Sequence, residues 1–213
     1  MKNYVITIFH NPKSVEAAER CISSAAYHGL QVEKFEAITP RLNIEALCRQ
    51  YKINPVRFVE QYSRTPNCIA AFLSHYTLWR KCIEDNEEYT IFEHDAHVTT
   101  PIPDDLRYDA VVNLGMPSYG RFNHPTFGVG PLVSKRYFPG AHAYRLNPRG
   151  AAALVKTAET QAEPTDVYLS FKRFPFLQEY YPWPVEARDQ FTTIQTKVGC
   201  IAKHNYNSTY EIL

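Results

Sequence analysis

YVITIFHNPKSVEAAERCISSAAYHGLQVEKFEAI, running from Tyr4 to Ile38, is the stretch whose reading decides the fold. Tyr4–Phe9 is β-branched and aromatic, the composition of a buried strand. Val15–Tyr27 carries helix formers, with Ser14 placed to cap its start and Gly29 placed to end it. Gln31–Ile38 then returns as a second strand. Strand, helix and strand within about forty residues make the crossover unit of a parallel α/β sheet.

Downstream residues extend that unit. Ile69, Phe72, Leu73, Tyr76, Trp79 and Ile83 recur at three- and four-residue spacing, which predicts an amphipathic helix over Asn67–Asp85. The apolar strand Tyr89–Phe92 runs directly into Glu93-His94-Asp95-Ala96-His97. Asp109–Leu114 and Ala141–Leu146 are further expected strands. Asn147 can cap a helix with Pro148 at its first position, where the missing N–H costs nothing, and the helix should run to about Glu159. Thr165 is placed to cap a short helix carrying Asp166. The expectation is one α/β domain over residues 1–213, with a mostly parallel central sheet flanked by helices.

Composition narrows the class. A chain of 213 residues, 45% hydrophobic and 21% charged, has the balance of an ordinary globular domain. A formal net charge of +1 sets up no field to gather nucleic acid or an anionic membrane. The first apolar run stops at Phe9, too early for a signal peptide, and no stretch approaches the ~20 apolar residues that span a bilayer. The five cysteines (Cys21, Cys48, Cys68, Cys82 and Cys200) form no Cys-x-x-Cys pair and read as reduced core thiols. A cytoplasmic protein is expected. Five of the eight glycines fall between Gly115 and Gly140, among Pro117, Pro125, Pro131 and Pro139. This segment should be irregular, either a lid or binding loop or a plain surface excursion.

Glu93-His94-Asp95 is the candidate chemistry. On a continuing strand Glu93 and Asp95 share a face, roughly 6–7 Å apart over two strand rises. Two carboxylates so spaced can reach one magnesium or manganese ion, whose other positions go to water and a substrate phosphate. His94 would face the other way, and His97 would return to the carboxylate side as a possible extra ligand. The alternative is a solvated strand end. The location favours a site, because ligands of open α/β sheets gather beyond the carboxyl ends of strands. Phosphate-loop, dinucleotide-fingerprint and nucleophile-elbow motifs are absent from the sequence. Ser74 and His75 are neighbours on one helix and point in different directions, so they form no nucleophile–base pair.

Three motifs in register carry a family resemblance. Cys68-Ile-Ala-Ala-Phe-Leu-Ser-His-Tyr-Thr-Leu-Trp-Arg80, with Tyr89-Thr-Ile-Phe-Glu-His-Asp95, resembles the Cys…Ser-His…Trp helix, apolar strand and Glu-Asp-Asp cluster of glycosyltransferase family 25. That family is the lipooligosaccharide galactosyltransferase-like group. Ala141-His-Ala-Tyr-Arg-Leu-Asn-Pro-Arg-Gly-Ala-Ala-Ala-Leu154 is similar to its Ala-Tyr…Gly-Ala…Leu segment, and Glu163-Pro-Thr-Asp166-Val-Tyr-Leu to its Pro-x-Asp-x-x-Leu. Here His94 replaces the middle acid, and Asn11-Pro12-Lys13 stands where the family has an Arg-rich turn.

The resemblance implies a GT-A-like fold and transfer from a nucleotide-sugar, first guess a UDP-hexose such as UDP-galactose. The acceptor would be a hydroxyl of a glycan, and the anomeric centre would invert. It implies Mn2+ or Mg2+ on Glu93 and Asp95, with the late His204 completing the metal sphere. Asp166 matches the family acid and would be the general base; its other reading is plain stabilisation of a helix N-terminus. Thr7, Phe9 and Asn11 would hold the nucleoside, and Arg188, Asp189 and Gln190 would meet the diphosphate or donor sugar. Ser74, His75 and Trp79 would brace the acidic strand. Tyr180, Tyr181 and Trp183 read either as a sugar-stacking surface or as core. Two other readings remain open at this level. One is a metal-dependent hydrolase or oxygenase using Glu93, Asp95 and His97; the other is a non-catalytic sugar- or nucleotide-binding module. A modified DNA base is a minor alternative acceptor.

Overall fold

The computed structural model describes residues 1–58, 63–188 and 191–196, together with the backbone of 211–212. The chain opens with β1 (Lys2–Thr7), α1 (Pro12–Tyr27), β2 (Glu33–Glu36) and α2 (Ile44–Gln50). The long α3 (Thr65–Asp85), β3 (Tyr89–Glu93), β4 (Ala96–Val98), β5 (Val111–Asn113) and β6 (Gly128–Pro131) follow. Then come β7 (Ala143–Leu146), α4 (Pro148–Gln161), α5 (Thr165–Tyr168), β8 (Leu177–Tyr181), β9 (Val185–Ala187), β10 (Phe191–Thr192) and β11 (Glu211–Ile212).

Seven strands form the central sheet in the order β2-β1-β3-β7-β5-β8-β6. β1 pairs parallel with β2 and β3, and β5 pairs parallel with β8. β7 runs antiparallel between β3 and β5, and β6 antiparallel along β8. The sheet is therefore mixed, with the expected crossover unit at one end, and helices cover it as the α/β reading requires. Because β7 separates two strands of one direction, the carboxyl ends of β1, β3, β5 and β8 all emerge on one edge.

Strand alternation sorts the core into two layers. Tyr4, Ile6, Tyr89, Ile91, Val111, Tyr144 and Leu146 pack with α3, α4 and α5. Val5, Phe92, Val112 and Ala143 pack on the other face with Ala18, Cys21 and Ala25 of α1 and with the β4–β9 ribbon. Both faces are apolar, which is why these strands read as continuous hydrophobic runs. Cys21, Cys48 and Cys82 are buried free thiols, Cys68 is buried on α3, and Cys200 lies outside the described residues. Burial pushes the Cys82 thiol up to about 12. Among the described residues no helix is long and apolar enough to cross a membrane.

Three local expectations are corrected. α1 begins at Pro12, and its cap is Asn11, whose side chain accepts from the amides of Lys13 and Ser14. Ser14 is instead inside the first turn, its Oγ accepting from the Ile8 amide at 2.9 Å. Thr165 lies within α5, which starts after Pro164 without a side-chain cap. The Gly/Pro-rich segment is not wholly irregular, because β6 pairs along β8. The buried carboxylate of Glu179 holds the segment's return, accepting from the amides of Val133 at 2.6 Å and Ser134 at 2.7 Å. Composition could not show this, since the pairing partner is some fifty residues away (Gly128 opposite Tyr181).

α4 starts as predicted, with the Asn147 side chain accepting from the Gly150 amide at 2.9 Å and Pro148 in the first turn. Gly150 sits directly on β5, where an added Cβ would lie 2.3 Å from the Ala110 carbonyl oxygen. The helix can pack this close to the strand only with glycine there.

Candidate functional site

The carboxyl edge of the sheet opens into a cavity of about 400 Å³. Ile6 and Ile8 wall it beside β1, Ser74 and His75 from α3, Glu93 at the tip of β3, and Asp166 from α5. The Gly/Pro-rich segment adds Tyr119 and Tyr137. That segment therefore takes part in the site.

Glu93 is held by a buried relay that strand alternation explains. Tyr89, Ile91 and Glu93 face α3, so Glu93 meets His75, whose Nε2 lies 3.0 Å from Glu93 Oε1. His75 Nδ1 lies 2.8 Å from the Tyr144 hydroxyl, which also accepts from Trp79 Nε1 at 2.7 Å. Indole N–H can only donate, so the Tyr144 oxygen accepts from Trp79 and its proton goes to His75 Nδ1. The network thus assigns the proton of neutral His75 to Nε2, from which it donates to the carboxylate. Burial holds the His75 pKa down at about 3, so the ring is neutral throughout the physiological range. Ser74 takes a separate role, its Oγ donating to the Ala70 carbonyl and accepting from the Ile38 amide, both at 2.9 Å. It thereby pins the strand exit that also walls the cavity.

The strand does not continue past Glu93. His94 and Asp95 form a turn before β4 begins. The expected alternation is corrected accordingly: Glu93, His94 and Asp95 all line the cavity, and His94 does not point away from it. The Ser14 hydroxyl and His94 Nδ1 share a hydrogen bond at 3.0 Å, and the ring stacks on Phe191 at 5.2 Å. Burial lowers the His94 pKa. His97 is displaced by the same turn. It sits on β4 opposite Glu186 of β9 and is not part of the cavity wall. A three-ligand set of Glu93, Asp95 and His97, on which the oxygenase or hydrolase reading depended, is not assembled.

Asp166 lies in the first turn of α5 and faces the cavity. Its Oδ1 accepts from the Val167 amide at 2.8 Å and its Oδ2 from the Tyr119 hydroxyl at 3.0 Å. Burial among protein atoms raises its pKa, against the lowering effect of those hydrogen bonds. A carboxylate tuned upward is a better proton acceptor near neutrality than an ordinary one. The approach to Asp166 is fixed by the ion pair of Arg173 with Glu163 and by Arg173 Nη1 donating to the Tyr168 carbonyl at 2.6 Å. Tyr119 was not legible as a site residue. A lone tyrosine among glycines and prolines carries no period or motif, and only the fold brings it 47 positions along the chain to Asp166.

The other expected site residues are dispersed. Thr7 is buried with its hydroxyl donating to the Val5 carbonyl, and Phe9 is exposed. Asn11 is the α1 cap. None of the three lines the cavity; on β1 that role belongs to Ile6 and to Ile8 just after it. The Arg188 amide donates to the Asp95 carbonyl at 2.8 Å, while its guanidinium pairs with Glu186 at 2.7 Å. Asp189, Gln190 and His204 lie outside the described residues.

Glu93 and Asp95 give hard oxygen donors on one cavity wall, but among the described residues no group of three or more His, Cys, Asp or Glu is placed to hold a metal ion. Such a donor set fits an ion shared with a substrate phosphate, since magnesium is commonly held by one or two carboxylates plus phosphate and water. It does not make a closed protein cage.

The sequence matches the family model described as Glycosyltransferase family 25 (LPS biosynthesis protein) over residues 1–108. The match takes in α3 and the Glu93-His94-Asp95 turn and stops short of Asp166. No curated protein matches the chain.

Proposed function

We propose that this chain, which belongs to glycosyltransferase family 25, moves a hexose from a nucleotide-sugar to a hydroxyl of a glycan with inversion at the anomeric carbon. Membership makes it a glycosyltransferase of lipopolysaccharide biosynthesis. The donor (UDP-galactose as first guess), the acceptor, the stereochemistry, the cytoplasmic setting and a GT-A-type assignment are our reading. The observation that carries it is one cavity at the carboxyl edge with Glu93 and Asp95 on one element and Asp166 on another.

In this reading Asp166 accepts the proton of the acceptor hydroxyl as its oxygen bonds to the anomeric carbon. The bond from that carbon to the donor phosphate breaks, and its electron pair leaves with the nucleoside diphosphate. Tyr119 holds Asp166 in line by donating to Oδ2 and leaves Oδ1 toward the Val167 amide. His75 fixes the carboxylate of Glu93, so Glu93 and Asp95 would hold Mn2+ or Mg2+ together with the donor diphosphate. A bound divalent ion supplies charge neutralisation for the departing diphosphate. Ile6, Ile8 and the Ala37–Pro40 exit of β2 give the apolar wall against which a nucleoside packs.

Release of sugar from a panel of UDP-, GDP- and CMP-sugars, with and without manganese, tests the proposal without knowledge of the acceptor. Manganese-dependent release from one donor, lost in Asp95→Ala, is expected. If no donor is hydrolysed and calorimetry on the same panel detects no metal-dependent binding, the proposal fails.

A further inference from the structure

Five rings make a continuous aromatic surface at the end of β8. Tyr181 and Trp183 meet edge to face at 4.9 Å, and Phe122 stands edge-on to Trp183 at 5.5 Å. Phe127 meets Tyr181 at 5.4 Å, and His124 sits among Phe122, Tyr181 and Trp183 at 5.4–6.3 Å. Phe127 is 81% exposed, against the general expectation for so large an apolar side chain. His124, Arg121 and Asn123 are exposed around it. The surface is preformed. Trp183 Nε1 donates to Glu179, the same buried carboxylate that anchors Val133 and Ser134, and the Asn123 amide donates to the Ser134 carbonyl at 3.0 Å.

Its place relative to the cavity is set by the chain. Tyr119 lies on the cavity and Phe122 on the aromatic surface, three residues apart, so their Cα atoms are within about 11 Å. Trp183 and the cavity residue Ala187 are four residues apart, within about 14 Å. Tyr119 is also the residue that hydrogen-bonds Asp166. The surface thus adjoins the cavity at Tyr119, which bonds Asp166, and at Ala187, which pairs with Ala96 beside the Asp95 turn, while the apolar wall of Ile6, Ile8 and Ile38 belongs to the opposite end of the sheet.

We propose that Phe122, His124, Phe127, Tyr181 and Trp183 form the binding platform for the glycan acceptor, stacking a pyranose ring next to the one that receives the sugar. The inference rests on the transferase reading and assigns its second substrate a location. A pyranose presents C–H groups on its faces and hydroxyls around its rim. Aromatic faces surrounded by His124, Arg121 and Asn123 match both parts, since such rings combine an apolar body with polar neighbours. A nucleotide is not the fitting occupant, because the platform lies away from the apolar nucleoside wall at the other end of the sheet.

Saturation-transfer NMR tests the platform on the full chain, with delipidated lipopolysaccharide core oligosaccharides and methyl pyranosides as probes. Wild type should bind the oligosaccharide, with transfer from aromatic protons. Phe127→Ala should weaken binding roughly two- to tenfold, the worth of one aromatic contact. Tyr181→Ala should do the same, and an unchanged melting temperature of Phe127→Ala establishes that the loss is local. Saturating UDP should leave the oligosaccharide bound. If wild type binds none of the probes, if both variants bind as wild type does, or if UDP displaces the oligosaccharide, the platform is not an acceptor site. Binding that depends on Phe127 in a protein that neither hydrolyses any donor nor binds one with metal by calorimetry would uphold the platform while sinking the transferase reading.

Discussion

Tyr144→Phe tests the relay behind Glu93. The substitution keeps the ring and deletes one oxygen. That oxygen accepts from Trp79 Nε1 at 2.7 Å and donates to His75 Nδ1 at 2.8 Å, and both partners are almost wholly buried. Its loss strands an indole N–H and an imidazole nitrogen where water does not reach. At about 1–3 kcal/mol for each of the two unsatisfied buried groups, the expected cost is roughly 2–6 kcal/mol. For a chain of this size that is a fall in Tm of roughly 4–24 °C. The same change frees His75 to adopt the other tautomer, so Glu93 loses its fixed donor and metal-dependent donor release should slow. Urea unfolding of wild type, Tyr144→Phe, Trp79→Phe and the double variant separates the hydrogen bond from general packing. In the Trp79→Phe background no indole is left stranded, so Tyr144→Phe should cost at least ~1 kcal/mol less than in wild type. Additive costs, or a Tyr144→Phe protein within about 0.5 kcal/mol of wild type, would refute the assigned network.

Three further outcomes follow from the same geometry. Asp166→Asn should lower the transfer rate by about 10²–10⁴-fold while leaving donor binding measurable by calorimetry. Because burial raises the pKa of Asp166, wild-type activity should fall as pH drops through a value above that of an ordinary aspartate, and a pH–rate profile locates that limb. Gly150→Ala should destabilise by roughly 1–3 kcal/mol by differential scanning calorimetry, although alanine is the better helix former, because its Cβ would meet the Ala110 carbonyl. The third concerns His75, which is neutral in the fold with a pKa of about 3 but takes up a proton near 6.5 when unfolded. The unfolded state then binds more protons between those values. Stability should therefore rise with pH up to about 6.5, with a slope of at most ~1.4 kcal/mol per pH unit from this group. His75→Gln should flatten that slope in urea titrations from pH 4.5 to 8, and an unchanged slope would count against a buried neutral histidine.

The amino-acid sequence by itself determined the α/β class, through the β-branched run of β1, the helix-forming α1 and the return at β2. It determined the α3 stripe and the Asn147-Pro148 start of α4, because periodicity and caps are local properties written in neighbouring residues. It also marked Glu93, Asp95 and Asp166, which the fold gathers on one cavity. Tertiary structure alone decided the rest. β7 enters antiparallel and so divides the sheet, a matter of long-range pairing that no residue pattern encodes. The turn at His94-Asp95 ends the alternation that would have placed His97 beside the carboxylates, because β4 leaves the main sheet to pair with β9. Asn11 went to a helix cap because two amides needed an acceptor there, and Tyr119 came to Asp166 across 47 positions of chain. Local chemistry is fixed by residues a turn or a strand rise apart. A site is assembled from residues that meet only when the sheet closes, and their partners are set by what burial leaves unsatisfied.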